Sequence, residues 1–171
     1  MSIESVTVAS IMTRMVKTAT EDHNIKQVAK IMRESDVGSV VIVKASAPSR
    51  PAGMITERDI VRLIGDDQVV TLQMSAGEVM SHPIITIGAN ALIRDAMQTM
   101  QFRNIRRLPV VDREKNMIGI ITENDIFKAI LSSQALIASF CESLTVEYRP
   151  IYERLSEFVL REMTPPERGH E

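Results

Sequence analysis

An internal duplication constrains the fold of this chain more than any other feature of its sequence. The residue types of positions 10–63 recur in the same order over positions 78–131. Met12 is matched by Met80, which lies 68 positions later, and Thr18 is matched by Thr86 at the same offset. One copy is too short to bury a good hydrophobic core by itself, so we expect the two copies to fold together.

Each copy has the periodicity of an α/β unit. In the first copy, a short extended segment is followed by apolar residues at helical spacing, which predict a helix over Ile25–Arg33 that is capped by Asp22 or Asn24. The β-branched run Val40–Val43 predicts a buried strand. Lys44–Ala52 contains Ser, Ala, Pro and Arg, and this composition predicts a surface loop.

Each copy ends on a short strand and a helix. In the first copy Gly53–Ile55 is the predicted strand, and Thr56 opens a helix with three apolar residues, Ile60, Val61 and Ile64. The offset between the copies falls from 68 to 66 before this strand, because the loop of the first copy is longer than the polar turn Asp112–Asn116 of the second. The predicted order is β-α-β-β-α in both copies, and the predicted fold class is α/β (α+β).

We expect four segments along the chain: a first repeat over 8–65, a connector over 66–77, a second repeat over 78–131 and a helical tail over 132–171. Pro150 fits the first turn of a helix but not its interior, so the tail should contain one helix to about Ser143 and a second from about Pro150 to Met163. The final residues, 164–171, are predicted to be disordered.

The tail carries one apolar stripe at helical spacing, made of Leu144, Tyr148, Ile151, Tyr152, Leu155, Phe158 and Val159. Such a stripe either packs on the core of its own protein or forms a surface for self-association or for a partner. The sequence leaves both interpretations open.

The motif Thr-x-x-Asp stands at the last strand-to-helix junction of each copy, as Thr56 and Asp59 and again as Thr122 and Asp125. This spacing is that of a helix capping box. A helix N-terminus with a hydroxyl and a carboxylate also suits a ribose phosphate, because the amides favour the anion and the carboxylate accepts hydrogen bonds from vicinal hydroxyls. One threonine can serve both purposes.

The duplicated order of these motifs resembles a tandem pair of cystathionine-β-synthase (CBS) domains. A Met-Thr or Met-Ser pair opens each copy, Gly-x-hydrophobic-Thr-x-x-Asp stands near its end, and Arg107–Asp112 with Gly119–Asp125 is typical of that family. The resemblance covers about residues 8–131 and not the tail. It implies two repeats packed sheet to sheet with pseudo-twofold symmetry, which leave two clefts for adenosine-containing ligands: AMP, ADP, ATP or S-adenosylmethionine.

The resemblance also implies which residues line each cleft, since the Thr and Asp of one copy meet the ribose and phosphate while the other copy holds the adenine. The first cleft should comprise Thr56, Arg58, Asp59, Ile84, Ile85, Thr86, Arg107, Leu108 and Pro109. The second cleft should comprise Val16, Lys17, Thr18, Ser39, Val40, Thr122, Asn124 and Asp125. No catalytic residue and no metal ligand is expected in either cleft.

The two clefts differ in charge. Arg107 of the second copy corresponds to Ser39 of the first, and Arg58 corresponds to Asn124. Guanidinium groups pair phosphate oxygens bidentately, so we expect the first cleft to prefer a charged adenine nucleotide. The second cleft, which has Lys17, should bind more weakly, stay empty or hold a less charged ligand. The alternative is that Arg107 is a solvated surface arginine.

The composition argues against several other classes of function. The net charge of −2 gives no general attraction to nucleic acid or to an anionic membrane, and no apolar run reaches the roughly 18 residues that cross a bilayer. The 3 histidines are not at metal-ligand spacing, and no catalytic triad or phosphate loop is present. The only cysteine, Cys141, rules out an internal disulfide and is predicted to be a small core or interface residue.

We therefore expect a cytoplasmic, non-enzymatic regulatory protein that requires no cofactor, binds an adenosine ligand and forms a homodimer, with a protein partner at the C-terminal helices as a further option. The alternative is a nucleic-acid-binding protein or a ligand-free adaptor. Nucleic acid would be contacted by a basic cluster made of Arg103, Arg106, Arg107 and Arg113. An adaptor would dock through the tail.

Overall fold

The computed structural model describes residues 5–65, 71–142 and 149–163. The first repeat contains α1 (Val8–Ile11), β1 (Thr18–Thr20), α2 (Ile25–Ser35), β2 (Ser39–Lys44), β3 (Ala47–Thr56) and α3 (Glu57–Gly65). The second contains α4 (Ala76–Val79), β4 (Ile87–Gly88), α5 (Ile93–Arg103), β5 (Arg107–Val111), β6 (Met117–Thr122) and α6 (Glu123–Leu131). The tail contains α7 (Gln134–Glu142) and α8 (Arg149–Met163). The predicted order of elements is confirmed.

The strands form two three-stranded mixed sheets, with the orders β1-β2-β3 and β4-β5-β6. β1 is parallel to β2, β2 is antiparallel to β3, and β4 is parallel to β5. In the central strand β2, every residue of Val40–Val43 is buried, as the continuous β-branched run predicts.

The prediction that Lys44–Ala52 is a surface loop was wrong. β3 begins at Ala47 and pairs with β2, with register shifts near the β2 end that indicate bulges. The polar, exposed composition has a physical reason: this part of β3 lies at the edge of its sheet, where Pro48 and Pro51 do not remove a ladder hydrogen bond from a central strand. An edge strand of this kind resembles a loop in composition.

The two long helices of the repeats end alike. At the start of α2, Gln27 N donates to Asn24 Oδ1 and Asn24 N donates to Gln27 Oε1, each at 2.9 Å, so Asn24 and not Asp22 is the cap. α2 ends at Asp36 with a φ of 51°, and α5 ends at Asn104 with a φ of 52°. Both caps lie in the left-handed region, which Asp and Asn tolerate better than most residues.

The chain divides into two compact units that do not coincide with the repeats. One unit comprises residues 13–89 and 108–120. Its core contains the buried residues Ala19, Ile25, Val28, Met32, Val40, Ile42, Ile55, Ile60 and Ala76. The other unit comprises residues up to 12, 90–107 and those from 121 onward. In that unit α6 packs against α1, α5, α7 and α8.

The segment that leads into each repeat pairs with the other repeat. Thr7 forms an antiparallel bridge with Leu92, and Ser75 forms one with Asn24. Ser75 lies 68 positions after Thr7, and Leu92 lies 68 positions after Asn24, so the two bridges are equivalent. Each one joins the start of one repeat to the N-terminus of the first long helix of the other.

A second pair of bridges repeats this exchange at the last strands. Thr13 N donates to Ile120 O at 2.9 Å, and Ile120 N donates back to Thr13 O at 2.8 Å. In the equivalent position, Ser81 N donates to Met54 O at 2.9 Å. Each repeat therefore depends on hydrogen bonds from the lead-in segment of the other, which agrees with the expectation that the copies fold together.

The tail helices pack on the protein's own second repeat. Ile151 and Leu155 of α8 are buried, and the Phe158 ring lies 5.6 Å from the Phe127 ring of α6, centroid to centroid. Tyr152, by contrast, is exposed. The stripe thus serves the protein's own core over the described part of α8, whereas Leu144, Tyr148 and residues 164–171 lie outside the described residues.

Cys141 was predicted to be a small core or interface residue. The core interpretation was wrong, because its side chain is exposed, and the interface interpretation stays a prediction. The buried side of α7 is formed by Leu136 and Phe140, which are four positions apart. Cys141 follows Phe140 and so lies about 100° further round the helix, away from that side.

Candidate functional site

The Thr-x-x-Asp motif of the first repeat forms a complete capping box at the start of α3. The Asp59 Oδ2 atom accepts hydrogen bonds from Thr56 N at 2.8 Å and from Thr56 Oγ1 at 2.6 Å. In return, Asp59 N donates to Thr56 Oγ1 at 3.3 Å. The capping interpretation is therefore confirmed for this motif.

The second repeat reproduces this geometry at the start of α6. Asp125 Oδ2 accepts from Thr122 N at 2.8 Å and from Thr122 Oγ1 at 2.7 Å, and Asp125 N donates to Thr122 Oγ1 at 3.2 Å. In both motifs these bonds use Oδ2 of the aspartate. The second oxygen, Oδ1, is thus available to accept from a ligand hydroxyl, and capping and ligand binding are chemically compatible.

The structure places most residues of the predicted first cleft in one compact unit. Thr56 ends β3, Arg58 and Asp59 lie in the first turn of α3, and Leu108 and Pro109 lie on β5. Three further members, Ile84, Ile85 and Thr86, lead directly into β4, which pairs with β5. Arg107, the first residue of β5, is assigned to the other unit.

One contact ties the two halves of this residue set together. The bridge between Met54 and Ser81 holds the chain two residues before Thr56 against the chain three residues before Ile84. It lies wholly within one compact unit. That these residues line a common cleft stays a prediction.

The predicted second cleft is only partly assembled by one unit. Thr18 lies opposite Val41 in the parallel pair of β1 and β2, and Lys17 O accepts from Val41 N at 3.0 Å. Ser39 and Val40 lie on β2 beside these residues, and Val16 precedes them. The other members, Thr122, Asn124 and Asp125, belong to the other unit, so the second cleft also stays a prediction.

The glycine before the first motif has a packing role. A Cβ atom placed on Gly53 would lie 2.6 Å from Met80 Cγ and 2.9 Å from Met80 Cβ. Glycine at this point therefore lets another group approach the backbone closely. The group is the methionine that opens the second repeat.

Sequence reasoning missed a buried ion pair beside the second motif. Glu123, which follows Thr122, is only 7% exposed. Its Oε1 accepts from Arg154 Nε of α8 at 2.7 Å, and its Oε2 lies 4.0 Å from Arg106 Nε. A glutamate in the first turn of a helix is usually explained by its favourable interaction with the helix dipole. No pattern in the sequence therefore predicts that Glu123 pairs with an arginine of the tail 31 positions later.

The part of the chain that the structure describes lacks two other kinds of feature. It contains no group of three or more His, Cys, Asp or Glu side chains that could hold a metal ion. Within the same residues, no helix is both long enough and apolar enough to cross a membrane.

Comparison with known proteins identifies the family. A model of the CBS domain matches residues 8–66 and again residues 76–132. Protein MK0525 of Methanopyrus kandleri, which is described as uncharacterized, is 36% identical over 126 residues. That alignment covers 74% of this chain and 63% of the relative, so the chain spans less than two thirds of that relative's length.

Two solved structures share the fold. The CBS domain protein PAE2072 from Pyrobaculum aerophilum, complexed with AMP, superposes with a TM-score of 0.70 at 22% identity and covers 81% of this chain and 100% of its own. The CBS domain pair of protein MJ0100, in complex with 5′-methylthioadenosine and S-adenosyl-L-methionine, gives 0.66 at 24% identity and covers 74% and 97%. The chain belongs to the CBS domain family and carries two CBS domains in tandem.

Proposed function

We propose that this chain is a non-enzymatic regulatory module that binds an adenosine-containing ligand, either AMP, ADP, ATP or S-adenosylmethionine, in clefts between its two repeats. The observation that carries the proposal is the pair of identical Thr-x-x-Asp caps. In each, the aspartate uses Oδ2 for the helix cap, which leaves Oδ1 for the hydroxyls of a ribose.

The ligand class is supported by the relatives of this fold. PAE2072 is complexed with AMP, and the MJ0100 pair is complexed with 5′-methylthioadenosine and S-adenosyl-L-methionine. These three molecules share an adenosine and differ in what is attached to its 5′ carbon. We therefore propose that this chain also binds an adenosine-containing ligand. The group attached to its 5′ carbon is inferred from the charged residues of this chain.

In the first cleft, the charges favour a phosphate. Arg58 is exposed in the first turn of α3, where the helix dipole also attracts an anion. Arg107 would add a second guanidinium. A ligand that binds this cleft more tightly in one arrangement of the protein shifts the population toward that arrangement, and this is sufficient to regulate a dimer or a partner.

A thermal-shift panel tests the proposal directly. The full chain is heated with AMP, ADP, ATP or S-adenosylmethionine, and at least one should raise the Tm by several degrees, since a ligand that binds only the folded state stabilises it. The double variant Asp59→Asn/Asp125→Asn should lose the ligand-induced shift. Asparagine can still accept the cap hydrogen bonds, so the loss would report on the ligand.

Asp95 supplies the matched control. Its Oδ2 accepts from Leu92 N at 3.2 Å in the equivalent position of α5, outside both predicted clefts. Asp95→Asn should keep the full ligand-induced shift. If no adenosine ligand shifts the Tm of the wild-type chain, the proposal is wrong, and a salt-dependent gel shift with duplex DNA would then favour the nucleic-acid alternative.

A further inference from the structure

The C-terminal end of α5 carries an exposed aromatic ring. Phe102, the last residue but one of this helix, is 82% exposed. The guanidinium carbon of the next residue, Arg103, lies 5.3 Å from the centroid of the ring, which is the distance of a cation–π contact. Arg106, three residues further on, has a side chain that is 63% exposed. We call Phe102, Arg103 and Arg106 the α5 patch.

The internal duplication shows that the fold does not require these side chains. The equivalent helix α2 ends in the same way, since the caps Asp36 and Asn104, which lie 68 positions apart, have φ values of 51° and 52°. The side chains around the two caps are nevertheless different. The first repeat has Glu34, Ser35 and Gly38 where the second has Phe102, Arg103 and Arg106. The patch therefore belongs to the second repeat alone.

The charges around the patch differ from those of the first repeat as well. Residues 96–111 contain three arginines and no acid, whereas the equivalent residues 28–43 contain two bases and two acids and are neutral overall. Glu123 lies 4.0 Å from Arg106 Nε, but its carboxylate accepts the shorter bond of 2.7 Å from Arg154. A local excess of positive charge attracts phosphate groups, although the chain as a whole has a net charge of −2.

The surroundings of the ring decide between two kinds of partner. Along α5 the exposed residues are Gln98, Phe102 and Arg103, so the ring has no exposed apolar neighbour on its own helix. A protein interface buries a continuous apolar centre inside a polar rim. A nucleotide, by contrast, needs one ring on which its base can stack and a cation for its phosphate, and the patch contains both.

We propose that the α5 patch binds single-stranded nucleic acid. A base stacks on the exposed ring of Phe102, and the guanidinium groups of Arg103 and Arg106 donate hydrogen bonds to neighbouring phosphates. A single strand is required, because the bases of a duplex already stack on each other and cannot reach the ring. This binding is separate from the adenosine site of the proposed function, since none of the three residues belongs to a predicted cleft.

A fluorescein-labelled strand of about 15 deoxythymidines, long enough for one binding site, serves as the probe. Its binding to the full chain is followed by anisotropy at several salt concentrations, and saturable binding that weakens as the salt rises is expected. Phe102→Ala should lower the affinity at least about fivefold and keep the salt dependence, because it removes a stacked base and no charge. Arg103→Ala should also reduce the slope of log K against log salt by about 0.7, which corresponds to one phosphate contact.

Arg33→Ala and Met15→Ala are the matched controls. Arg33 is an exposed arginine in the last turn of α2, and Met15 is 84% exposed. The two changes therefore remove one charge and one apolar side chain outside the patch. Both variants should keep the affinity and the salt slope of the wild type.

No salt-dependent binding of the strand to the wild-type chain overturns the proposal, and so does an affinity that Phe102→Ala leaves unchanged. Three other results also overturn it. Equally tight binding of a duplex of the same length would remove the role of stacking. Displacement of the strand by saturating AMP would place it in a predicted cleft. A wild-type dimer that Phe102→Ala converts to a monomer, measured by light scattering, would mean that the ring joins two copies of this chain.

Discussion

At the scale of single residues, the aspartates of the two Thr-x-x-Asp motifs make the same cap hydrogen bonds within their own repeats. The cap distances of Asp59 and Asp125 agree to within 0.1 Å, at 2.6 and 2.7 Å for the hydroxyl bonds. Any difference between the clefts must therefore come from other residues. The arginines are the residues that differ, since Arg58 corresponds to Asn124 and Arg107 corresponds to Ser39.

Arg107→Ala should weaken AMP and ATP binding at least tenfold while it changes S-adenosylmethionine binding less. A charge-assisted hydrogen bond contributes about 1.5–3 kcal/mol, which corresponds to roughly 10- to 100-fold in affinity. Titration calorimetry measures it, with Arg113→Ala at an exposed turn residue as the control. Unchanged nucleotide affinity would mean that Arg107 does not contribute to nucleotide binding and that the charge argument is wrong.

Gly53→Ala should destabilise the fold, because the new Cβ would lie within 2.9 Å of Met80 Cβ. Overpacking of this kind costs about 1–3 kcal/mol. Gly88→Ala is the control, since a Cβ there meets nothing within 4 Å. Urea denaturation measures both, and Met80→Ala should rescue Gly53→Ala. Equal stability of the two glycine variants would show that Met80 moves aside freely.

At the scale of elements, most helices and strands follow from local pattern, and the exceptions have a physical cause. Asn24, the buried run Val40–Val43 and the polar turn Asp112–Asn116 are all local signals, and each was predicted. The first part of the β3 edge strand was missed because its consecutive residues Pro48, Ser49 and Arg50 are all exposed, so the sequence there has no alternation of apolar and polar residues. Cys141 was misplaced because its helix is buried on a side that only the tertiary structure defines.

The short helix α4 offers a test of pH dependence. Ser75 N and Ser75 Oγ donate to Glu78 Oε2 at 2.8 and 2.7 Å, and these bonds lower the pKa of Glu78 below its ordinary value of 4.5. A carboxyl with a lowered pKa in the folded state stabilises the fold above pH 4.5, and this contribution is lost as the pH falls through the folded pKa.

Glu78→Gln should therefore have a lower Tm than the wild type at pH 7, and the difference should shrink as the pH falls below 4.5. Thermal unfolding by circular dichroism between pH 3 and 7 (roughly the range in which a carboxyl titrates) measures it. Glu114→Gln, at an exposed turn residue, is the control. A difference that does not vary with pH would show that the charge of Glu78 is not involved.

At the scale of the whole molecule, the duplication made the fold and the motif positions predictable, but it could not predict what the tail does. The tail has no counterpart in the repeats, and its docking depends on Arg154 and Phe158 meeting Glu123 and Phe127. Contacts between segments that are far apart in the chain produce no pattern in the local sequence, so they could not be predicted from it. The clefts themselves are inferred by resemblance, because their members are far apart in sequence.

Arg154→Ala should lower the free energy of unfolding, because the buried Glu123 carboxylate loses its hydrogen-bonded guanidinium and keeps only Arg106, whose Nε lies 4.0 Å away. Breaking a buried pair costs about 3–5 kcal/mol, and the 26% exposure of the Arg154 side chain places the expected loss at or below the lower end. Urea denaturation measures it, with Arg161→Ala, at an exposed residue near the end of α8, as the control.

The double variant Glu123→Gln/Arg154→Met should recover part of this loss, because it removes the buried charge that has lost its hydrogen-bonded partner. If Arg154→Ala and Arg161→Ala have the same stability, the ion pair does not hold α8 in place.

The exchanged lead-in segments have a consequence for synthesis on the ribosome. The partners of Ser75 and Ser81, Asn24 and Met54, have already been made when these residues emerge. Thr13, however, must wait for Ile120, which is 107 positions later. At about 5–20 residues per second, that wait lasts about 5–20 s. The growing chain can thus form the bridges Asn24–Ser75 and Met54–Ser81 before the bridge Thr13–Ile120. Until Ile120 has been synthesised, the N-terminal segment is accessible to chaperones or to a wrong partner.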